Sequence, residues 1–223
     1  MIEIRDLAFR SIRIGHLLIP DGTTALIGAN GSGKTTLLRL LAGLTPPDTG
    51  SITVDGMLPE PGCAGFVNEY PDRNALFSRF ADELAAPLRF RHIPCEELEQ
   101  RVKEAAATAG LERQLERTMD TLSGGEKVLA ALLSALISSP ETLILDEFDS
   151  HLDYDSLVLA ENLISSSGAR RVIRCTQNMD LAAQYGRVIV LHRGRVLRAG
   201  SPEEVFPALE ETCCYPFSWR AFR

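Results

Sequence analysis

Residues 28–35 read Gly28-Ala29-Asn30-Gly31-Ser32-Gly33-Lys34-Thr35, a match to the phosphate-binding pattern G-x-x-x-x-G-K-[ST]. The apolar run Thr24–Ile27 before it predicts a buried strand, and the leucine-rich residues 35–44 after it predict a helix. Glycines let successive backbone N–H groups face one anion, and the helix N-terminus adds partial positive charge. The context therefore favours a phosphate site over an incidental glycine-rich turn.

The pattern assigns a role to each part of this loop. Lys34 is expected to act as a point cation for the β- and γ-phosphates of a nucleotide, and the Thr35 hydroxyl to bind Mg²⁺. The complete predicted nucleotide-binding set in this segment is Gly28, Asn30, Gly31, Ser32, Gly33, Lys34, Thr35 and Thr36.

A second acidic pattern lies further along the chain, at Leu143-Ile144-Leu145-Asp146-Glu147. A buried strand there would deliver two acids to its carboxyl end, where α/β folds place their ligands. Asp146 is expected to hold Mg²⁺ through a water molecule, and Glu147 to orient and polarise the attacking water. Taken alone the pattern is often only a strand end, but after a phosphate loop it indicates a catalytic site.

Composition excludes several classes of protein. The chain has 223 residues, of which 45% are hydrophobic and 24% charged, which is typical of one soluble globular domain and excludes disorder. No apolar stretch approaches the roughly 18 residues of a membrane span, and the early acids of residues 1–6 argue against a secretory signal. The net charge of −7 argues against non-specific nucleic-acid binding.

Three minor features receive structural interpretations. The five cysteines include no C-x-x-C pair and are expected to be reduced thiols used as small apolar residues, with a redox or metal role left open for Cys213-Cys214. Arg170-Arg171 is expected to be a solvated turn before a strand. The aromatic side chains Phe217, Trp219 and Phe222 are expected to be packing anchors.

The remaining periodicity predicts an α/β fold. Alternating residues at 2–5 and 12–14 predict half-exposed strands, and the segment from about 76 to 120 is rich in helix formers, with Pro87 and Pro94 expected to break it into shorter helices. Gly124 opens a further apolar helix, and a hairpin turn is predicted at Gly194-Arg195. The alternation of strands and helices implies a mostly parallel sheet.

The segment Leu122-Ser123-Gly124-Gly125-Glu126, together with the phosphate loop, resembles the nucleotide-binding subunit of ABC transporters over nearly the whole chain. The resemblance implies a P-loop NTPase core with a mostly parallel sheet, N-terminal antiparallel strands and an inserted helical lobe. One cassette would fill residues 1–223, with the core at 1–72 and 140–223 and the lobe at 73–139. Residues 71–78 also resemble the energy-coupling-factor ATPases of cobalt and vitamin uptake.

The resemblance also implies partners and location. Two subunits, alike or different, would pair head to tail around two ATP molecules with Mg²⁺, and Ser123, Gly124 and Gly125 would contact the ATP of the partner. The dimer would power separate transmembrane permease subunits from the cytoplasmic face of the membrane, as a peripheral subunit that is soluble when isolated. No nucleic-acid partner is expected, and Ser150–Asp153 would form the loop that links the two ATP sites.

The sequence departs from the family pattern at three places. Glu69 stands where the Q-loop Gln is expected, and its carboxylate can bind Mg²⁺ while adding negative charge. Gln177 replaces the switch His, so it can donate a hydrogen bond to the γ-phosphate but carries no charge, which predicts slow hydrolysis. The adenine platform is unassigned, because Ser11 holds the usual Tyr position and Phe9 is expected in the core.

The sequence thus predicts a set of catalytic residues and a set of metal ligands, and it leaves two alternatives to a transport ATPase. The catalytic set is Glu147 and Gln177, and the metal set is Thr35, Asp146 and Glu69. The first alternative is a slowly hydrolysing regulatory subunit that pairs with a competent one, and the second is a soluble ABC ATPase outside transport.

Overall fold

The computed structural model describes residues 1–70 and 75–220 of the chain, without the side chain of His151. The chain forms two units. Unit 1 comprises Met1–Cys63, Ile144–Glu147 and Arg170–Arg223, and unit 2 comprises Ala64–Leu143 and Phe148–Ala169.

Unit 1 contains an antiparallel sheet built from β1 (Ile2–Phe9), β2 (Ile12–Ile19) and β4 (Thr49–Val54), in the order β2-β1-β4. The central β1 pairs Ile4 with Leu17 on one side and with Ile52 on the other. Within residues 2–5, the buried Ile2 and Ile4 alternate with the more exposed Glu3 and Arg5, as the sequence pattern predicts. The predicted N-terminal antiparallel strands are therefore confirmed.

The second sheet carries the phosphate loop. Five of its strands run in the order β6-β7-β3-β8-β9, and unit 1 contains the last three residues of β6. Their bounds are β3 (Gly22–Ile27), β6 (Thr142–Asp146), β7 (Arg171–Cys175), β8 (Arg187–His192) and β9 (Arg195–Gly200). The central β3 is parallel to both β7 and β8, whereas β9 is antiparallel. The predicted mostly parallel sheet is therefore confirmed.

Short helices complete unit 1. The first, α1 (Lys34–Leu41), follows the loop and buries four leucines, and the chain then turns at Gly43, which has a φ of +69°. Three further helices are α6 (Met179–Ala182), α7 (Pro202–Val205) and α8 (Phe217–Arg220).

Unit 2 is mainly helical. It contains β5 (Ala64–Val67), α2 (Phe80–Phe90), α3 (Cys95–Thr108), α4 (Gly124–Leu136) and α5 (Tyr154–Ser166). Helix α2 packs against α3 and α4, and α4 packs against α5. In the described ranges, no helix combines the length and the apolar character that crossing a membrane requires.

The expectation that Pro87 breaks a helix is wrong, whereas Pro94 does precede the first residue of α3. Pro87 lies inside α2, where a proline has no N–H for the carbonyl of Glu83 four residues earlier. The hydroxyl of Ser134 in α4 donates a hydrogen bond to that carbonyl at 3.4 Å. A neighbouring helix thus satisfies the acceptor that proline leaves open.

The expectation that Arg171 lies in a solvated turn is also wrong. Arg171 is the first residue of β7, and its side chain is only 1% exposed. Its guanidinium donates two hydrogen bonds to Asp55, at 2.9 and 2.6 Å, and one to Asp21 at 3.1 Å. These carboxylates neutralise the charge, so the arginine anchors the start of the strand that leads to Gln177.

Two minor expectations need correction. Trp219 is half-buried and packs edge-on against aromatic rings, but Phe217 is 76% exposed, and Phe222 lies outside the described residues. All five cysteines are free, as expected. They are not uniformly small core residues, because Cys63, Cys95 and Cys213 are exposed, Cys214 is half-buried and Cys175 is buried.

Replacing Asp55 by Asn tests whether the pairing of Arg171 with Asp55 stabilises the fold. We expect a loss of about 2 kcal/mol in the free energy of unfolding, because Arg171 stays buried after losing its main partner. The loss should fall short of the roughly 3–5 kcal/mol of a fully buried pair, because 35% of the Asp55 side chain is exposed. Urea unfolding measures it. Glu116→Gln, which breaks the exposed pair with Arg79, is the charge-matched control, and equal losses in both variants would contradict the anchor.

The same pair predicts a pH dependence of stability. The Arg171 guanidinium holds the pKa of Asp55 well below its usual range. A carboxyl group whose pKa is lower in the folded state contributes fully above its unfolded pKa of about 3.9, and this contribution is lost as the pH falls below that value. The difference in stability between wild type and Asp55→Asn should therefore shrink between about pH 5 and pH 3. A constant difference in urea midpoints across this interval would refute the assignment.

Candidate functional site

The phosphate loop occupies the turn between β3 and α1, as predicted. Gly33 is the N-cap of α1 and has a φ of +103°, and Gly28 has a φ of +149°. A Cβ added at Gly28 would overlap the carbonyl oxygen of Leu191, and one at Gly33 would overlap the Ile12 side chain. Conformation favours glycine at both positions, and at Gly28 the fixed backbone of Leu191 also leaves no space for a side chain.

A hairpin turn supports this loop, and it lies one residue earlier than the predicted Gly194-Arg195 because Arg195 already belongs to β9. The link between β8 and β9 is Arg193-Gly194, with φ of +48° and +75°, as a two-residue hairpin with two positive φ angles requires. The N–H of Gly194 donates to the carbonyl of Ser32 at 2.8 Å, and its carbonyl accepts from the N–H of Arg13 at 2.7 Å. The turn therefore ties the phosphate loop to β2.

The loop also contains an unsatisfied donor. The Ser32 hydroxyl is buried, and no atom of the described residues forms a hydrogen bond with it. A buried hydroxyl without a partner is costly, and an anion held by the loop would accept its hydrogen bond. Together with the glycine turn, this fits a phosphate group. Thr35 is exposed at the start of α1 and Thr36 is half-buried, so the Thr35 hydroxyl is accessible to a metal ion.

Lys34 is the charged centre of the site, and its side chain is only 6% exposed. Its ammonium group donates to the carbonyls of Gly28 at 2.9 Å and Ala29 at 3.4 Å, and it lies 3.3 Å from Oε1 of Glu147. An ammonium group has three N–H donors, so these contacts engage all of them. Any phosphate that reaches Lys34 must replace one of these partners.

Glu147 follows β6 in a left-handed backbone conformation, with a φ of +48°. Such a conformation costs a non-glycine residue of order 1 kcal/mol and is common at functional sites. Its N–H donates to the carbonyl of Cys175 at 3.1 Å, which holds this turn against the end of β7. Its side chain is 13% exposed and reaches both Lys34 and Gln177.

Gln177 contacts the second carboxylate oxygen of Glu147, whereas Lys34 lies nearer the first. Its amide Nε2 donates to Oε2 of Glu147 at 2.6 Å and lies 3.5 Å from Oδ1 of Asn30. The next residue, Asn178, donates its N–H to Thr176 Oγ1 and caps α6 by accepting from the N–H of Leu181. The residue in the switch position is thus held between β7 and α6, with its side chain exposed.

Cys175 is the site residue that sequence reasoning missed. Its thiol lies 3.5 Å from Oε1 of Glu147 and donates to it. Burial, reinforced by the nearby Asp146 carboxylate, raises the pKa of the Cys175 thiol, so the group stays neutral. The available signal was its position at the carboxyl end of a strand, two residues before Gln177.

The use of Thr35, Asp146 and Glu69 as metal ligands stays a prediction. Asp146 is buried at the end of β6, whereas Glu69 is half-buried in unit 2. In the part of the chain that the structure describes, no group of three or more His, Cys, Asp or Glu side chains could hold a metal ion. Mg²⁺ at Thr35 and Asp146 would therefore need water and phosphate oxygens as further ligands, as this ion usually does.

The LSGGE segment begins α4 in unit 2. Ser123 and Glu126 form a capping box, in which the serine Oγ accepts from the N–H of Glu126 and the carboxylate accepts from the N–H of Ser123. This arrangement lowers the pKa of Glu126, chiefly through the bond from the Ser123 N–H. The Ser123 side chain also lowers this pKa through a hydrogen bond of its own with the Glu126 carboxylate.

The glycines of this segment differ in their surroundings. Gly124 has open space around it, whereas a Cβ at Gly125 would come within 2.9 Å of the Ser156 hydroxyl in α5. Ser156 in turn donates its N–H to Asp153, the N-cap of α5, at 2.8 Å. The predicted linking loop and the LSGGE helix therefore contact each other within unit 2.

The adenine platform stays unassigned. Phe9 is half-buried, with the Arg10 guanidinium 5.2 Å from its ring centroid, so the expectation that Phe9 is a core residue is wrong. The cation covers one face of the ring. Ser11 is exposed in the turn between β1 and β2.

Comparisons with known proteins agree on one family. The family model described as "ABC transporter" matches residues 16–150. The biotin transport ATP-binding protein BioM of Rhizobium etli is 36% identical, with 81% of this chain and 82% of that protein covered. The energy-coupling factor transporter ATP-binding protein EcfA1 of Bacillus subtilis is 30% identical, with 95% and 82% covered.

Solved structures show the same fold. The cbiO1 protein of Clostridium perfringens, part of the ABC transporter complex cbiONQ, superposes with a TM-score of 0.79 at 25% identity, covering 94% of this chain and 92% of that one. The ATP-binding cassette MJ0796, in a dimer bound to ADP and Pi, gives a TM-score of 0.79 at 21% identity, covering 91% and 99%.

The neutral, buried Cys175 thiol predicts a pattern of chemical reactivity. Iodoacetamide reacts with thiolates, so at about pH 8 it should modify the exposed Cys63, Cys95 and Cys213 at least about a hundredfold faster than Cys175. After unfolding in urea, all of these thiols should react at similar rates. Peptide mass spectrometry measures each site, and rapid alkylation of Cys175 in the folded protein would contradict its placement.

Proposed function

Because the chain belongs to the ABC transporter family, we propose that it is an ATP-binding and ATP-hydrolysing subunit that powers solute transport by separate membrane subunits. Relatives named for energy-coupling factor transporters and for biotin transport support the energy-coupling-factor group as the one to which this subunit belongs. The stretch 71–78 that first suggested this group includes residues 71–74, which lie outside the described residues.

The observation that carries the proposal is the contact of Lys34 and Gln177 with the two oxygens of Glu147. These three residues are a phosphate-binding cation, a water-activating carboxylate and the residue that would report the γ-phosphate. Strands that are distant in sequence bring them within hydrogen-bond distance. An incidental glycine-rich turn would not need the other two side chains.

The contacts suggest an order of events when ATP binds. The phosphate loop would receive the β- and γ-phosphates, with the Ser32 hydroxyl and the backbone N–H groups of Gly28, Asn30, Gly31, Gly33, Lys34, Thr35 and Thr36 as donors. Lys34 would exchange Glu147 for the phosphates, because its three donors are already engaged. Glu147, released from the ammonium group, would then accept a proton from the attacking water.

Mg²⁺ fits the same place. Thr35 and Asp146 would hold it, with Glu69 as a third ligand, and it would supply positive charge that offsets the negative charge of the phosphates. The chain's own contribution is an exposed hydroxyl and a buried carboxylate at the end of β6.

A second subunit completes the proposed site. Ser123, Gly124 and Gly125 would donate to the ATP bound by a head-to-tail partner, either a second copy or a different cassette. The exposed position of Ser123 at the N-cap of α4 and the open surroundings of Gly124 support this role. The assembly would sit at the cytoplasmic face of a membrane beneath the permease subunits.

Gln177 supports slow hydrolysis at the chain's own ATP site. A charged histidine would form a stronger hydrogen bond to the developing negative charge than the neutral amide does. If this loss is large, the chain acts as a regulatory subunit that lends its Ser123 segment to a competent partner. The presence of Glu147 beside Lys34 favours retained, slow turnover.

Three variants of the purified chain test the proposal. With ATP and Mg²⁺, Gln177→His should raise kcat about tenfold, because it adds a charge-assisted contact in the transition state. Glu147→Gln should lower kcat about a hundredfold or more while retaining ATP binding, because the general base is lost. Gln184→His places the same substitution on an exposed residue after α6 and should leave kcat unchanged.

The outcomes separate the alternatives. ATP binding without turnover in wild type, with turnover restored by Gln177→His, would favour the regulatory subunit. Turnover at an ordinary transporter rate that does not respond to Gln177→His would refute the role given to Gln177. Absence of ATP binding would refute the proposed function as a whole.

A further inference from the structure

Two adjacent thiols lie on a turn that neither the ATP site nor the LSGGE helix uses. Cys213 is exposed and Cys214 is half-buried, and their Sγ atoms are 4.0 Å apart. Both are free. We propose that Cys213-Cys214 is a site of reversible oxidation by small-molecule disulfides such as glutathione disulfide, and that its closure loosens the contact between α8 and α6.

The chemistry needs only the named oxidant. The Cys213 thiolate attacks one sulfur of glutathione disulfide, forming a mixed disulfide and releasing one glutathione, which takes up the proton that Cys213 lost. The Cys214 thiolate then attacks the Cys213 sulfur and releases the second glutathione. Two protein thiols are oxidised to one disulfide, and one glutathione disulfide is reduced to two glutathione molecules.

Closure must change the shape of the turn. The Cα atoms of adjacent residues are about 3.8 Å apart, whereas disulfide-bonded residues usually have Cα atoms about 4.4–6.8 Å apart. The bond can therefore form only if the backbone between the two cysteines twists. A strained disulfide of this kind is easily reduced again, which is the property of labile and regulatory disulfides.

Residues on both sides of the pair are held by α8. The Arg220 guanidinium donates to the carbonyl of Thr212 at 3.1 Å and lies 5.7 Å from the ring centroid of Tyr215. The Tyr215 ring also packs edge-on against Trp219, with a centroid distance of 6.3 Å. Twisting the backbone between Thr212 and Tyr215 would disturb these contacts together.

Helix α8 is in turn fastened to α6. The carboxylate of Asp180 accepts from the N–H of Ser218 at 2.8 Å and from its hydroxyl at 2.6 Å. Asp180 belongs to α6, which begins two residues after Gln177. A continuous set of contacts therefore connects the thiol pair to the residue that holds Glu147.

The chain supplies its own reporter for this change. Trp219 is the single tryptophan of the sequence, and it packs against Phe206 and Tyr215. Oxidation should quench and red-shift its emission, because the indole loses packing and lies near a disulfide. The thiol chemistry and the emission do not depend on the proposed function, whereas the ATPase readout does.

The experiment uses the full chain with Cys63→Ser and Cys95→Ser, which removes two exposed thiols elsewhere on the surface. Incubation with glutathione disulfide should remove two hydrogens, about 2 Da, from the peptide that contains Cys213 and Cys214. The Trp219 emission should change at the same rate, and kcat for ATP should fall roughly threefold or more. Dithiothreitol should reverse all three effects.

Cys213→Ser and Cys214→Ser, each in the same background, are the matched variants and should abolish all three effects. A stable glutathione adduct on Cys213, a disulfide-linked dimer or no change in mass would overturn the oxidation site. A disulfide that leaves the Trp219 emission unchanged would overturn the coupling to α8. If the chain hydrolyses no ATP in either state, the proposed function fails, and the mass and emission still decide the oxidation site.

Discussion

The ion pair between Lys34 and Glu147 is the interaction on which the site depends. The side chains are 6% and 13% exposed, so each charge is expensive without the other. The pair can be opened by exchange, when a phosphate replaces the carboxylate, but not by simple separation. A nucleotide would therefore supply the charge that lets Glu147 leave Lys34, and binding would then be coupled to the release of the proposed catalytic base.

The parallel sheet makes this pair possible. In the order β6-β7-β3, neighbouring strands end at the same edge and present Glu147, Cys175 and the phosphate loop side by side. The bond from the Glu147 N–H to the Cys175 carbonyl fixes two of these ends, and the hairpin at Gly194 supports the third through Ser32. Strand ends and a hairpin that take no part in the proposed reaction thus fix the distances between the side chains of the site.

The sequence predicts those features that depend on local pattern. The phosphate loop, the acidic end of β6, the helix after Ser123 and the hairpin at Gly194 each follow from a few neighbouring residues. The wrong predictions depend on partners that lie far away in the chain. Arg171 can be buried because two carboxylates pair with it, and these lie 116 and 150 residues away in the sequence. Pro87 is tolerated because another helix supplies a hydroxyl for the open carbonyl.

The difference between local pattern and distant contact also explains why Cys175 was missed and why the contact of Gln177 with Glu147 was not predicted. The sequence assigns Gln177 to the γ-phosphate but does not reveal that it contacts Glu147, and it assigns nothing to Cys175; both contacts arise because β6 brings the Glu147 carboxylate to the thiol and the amide. Both donors are neutral, so they orient the carboxylate without competing with Lys34 for its charge. A positively charged residue at position 177 would stabilise the developing phosphate charge, but it would also form a second ion pair with Glu147. The neutral amide therefore favours release of a basic carboxylate at the expense of transition-state stabilisation, which gives the proposed slow hydrolysis a physical basis.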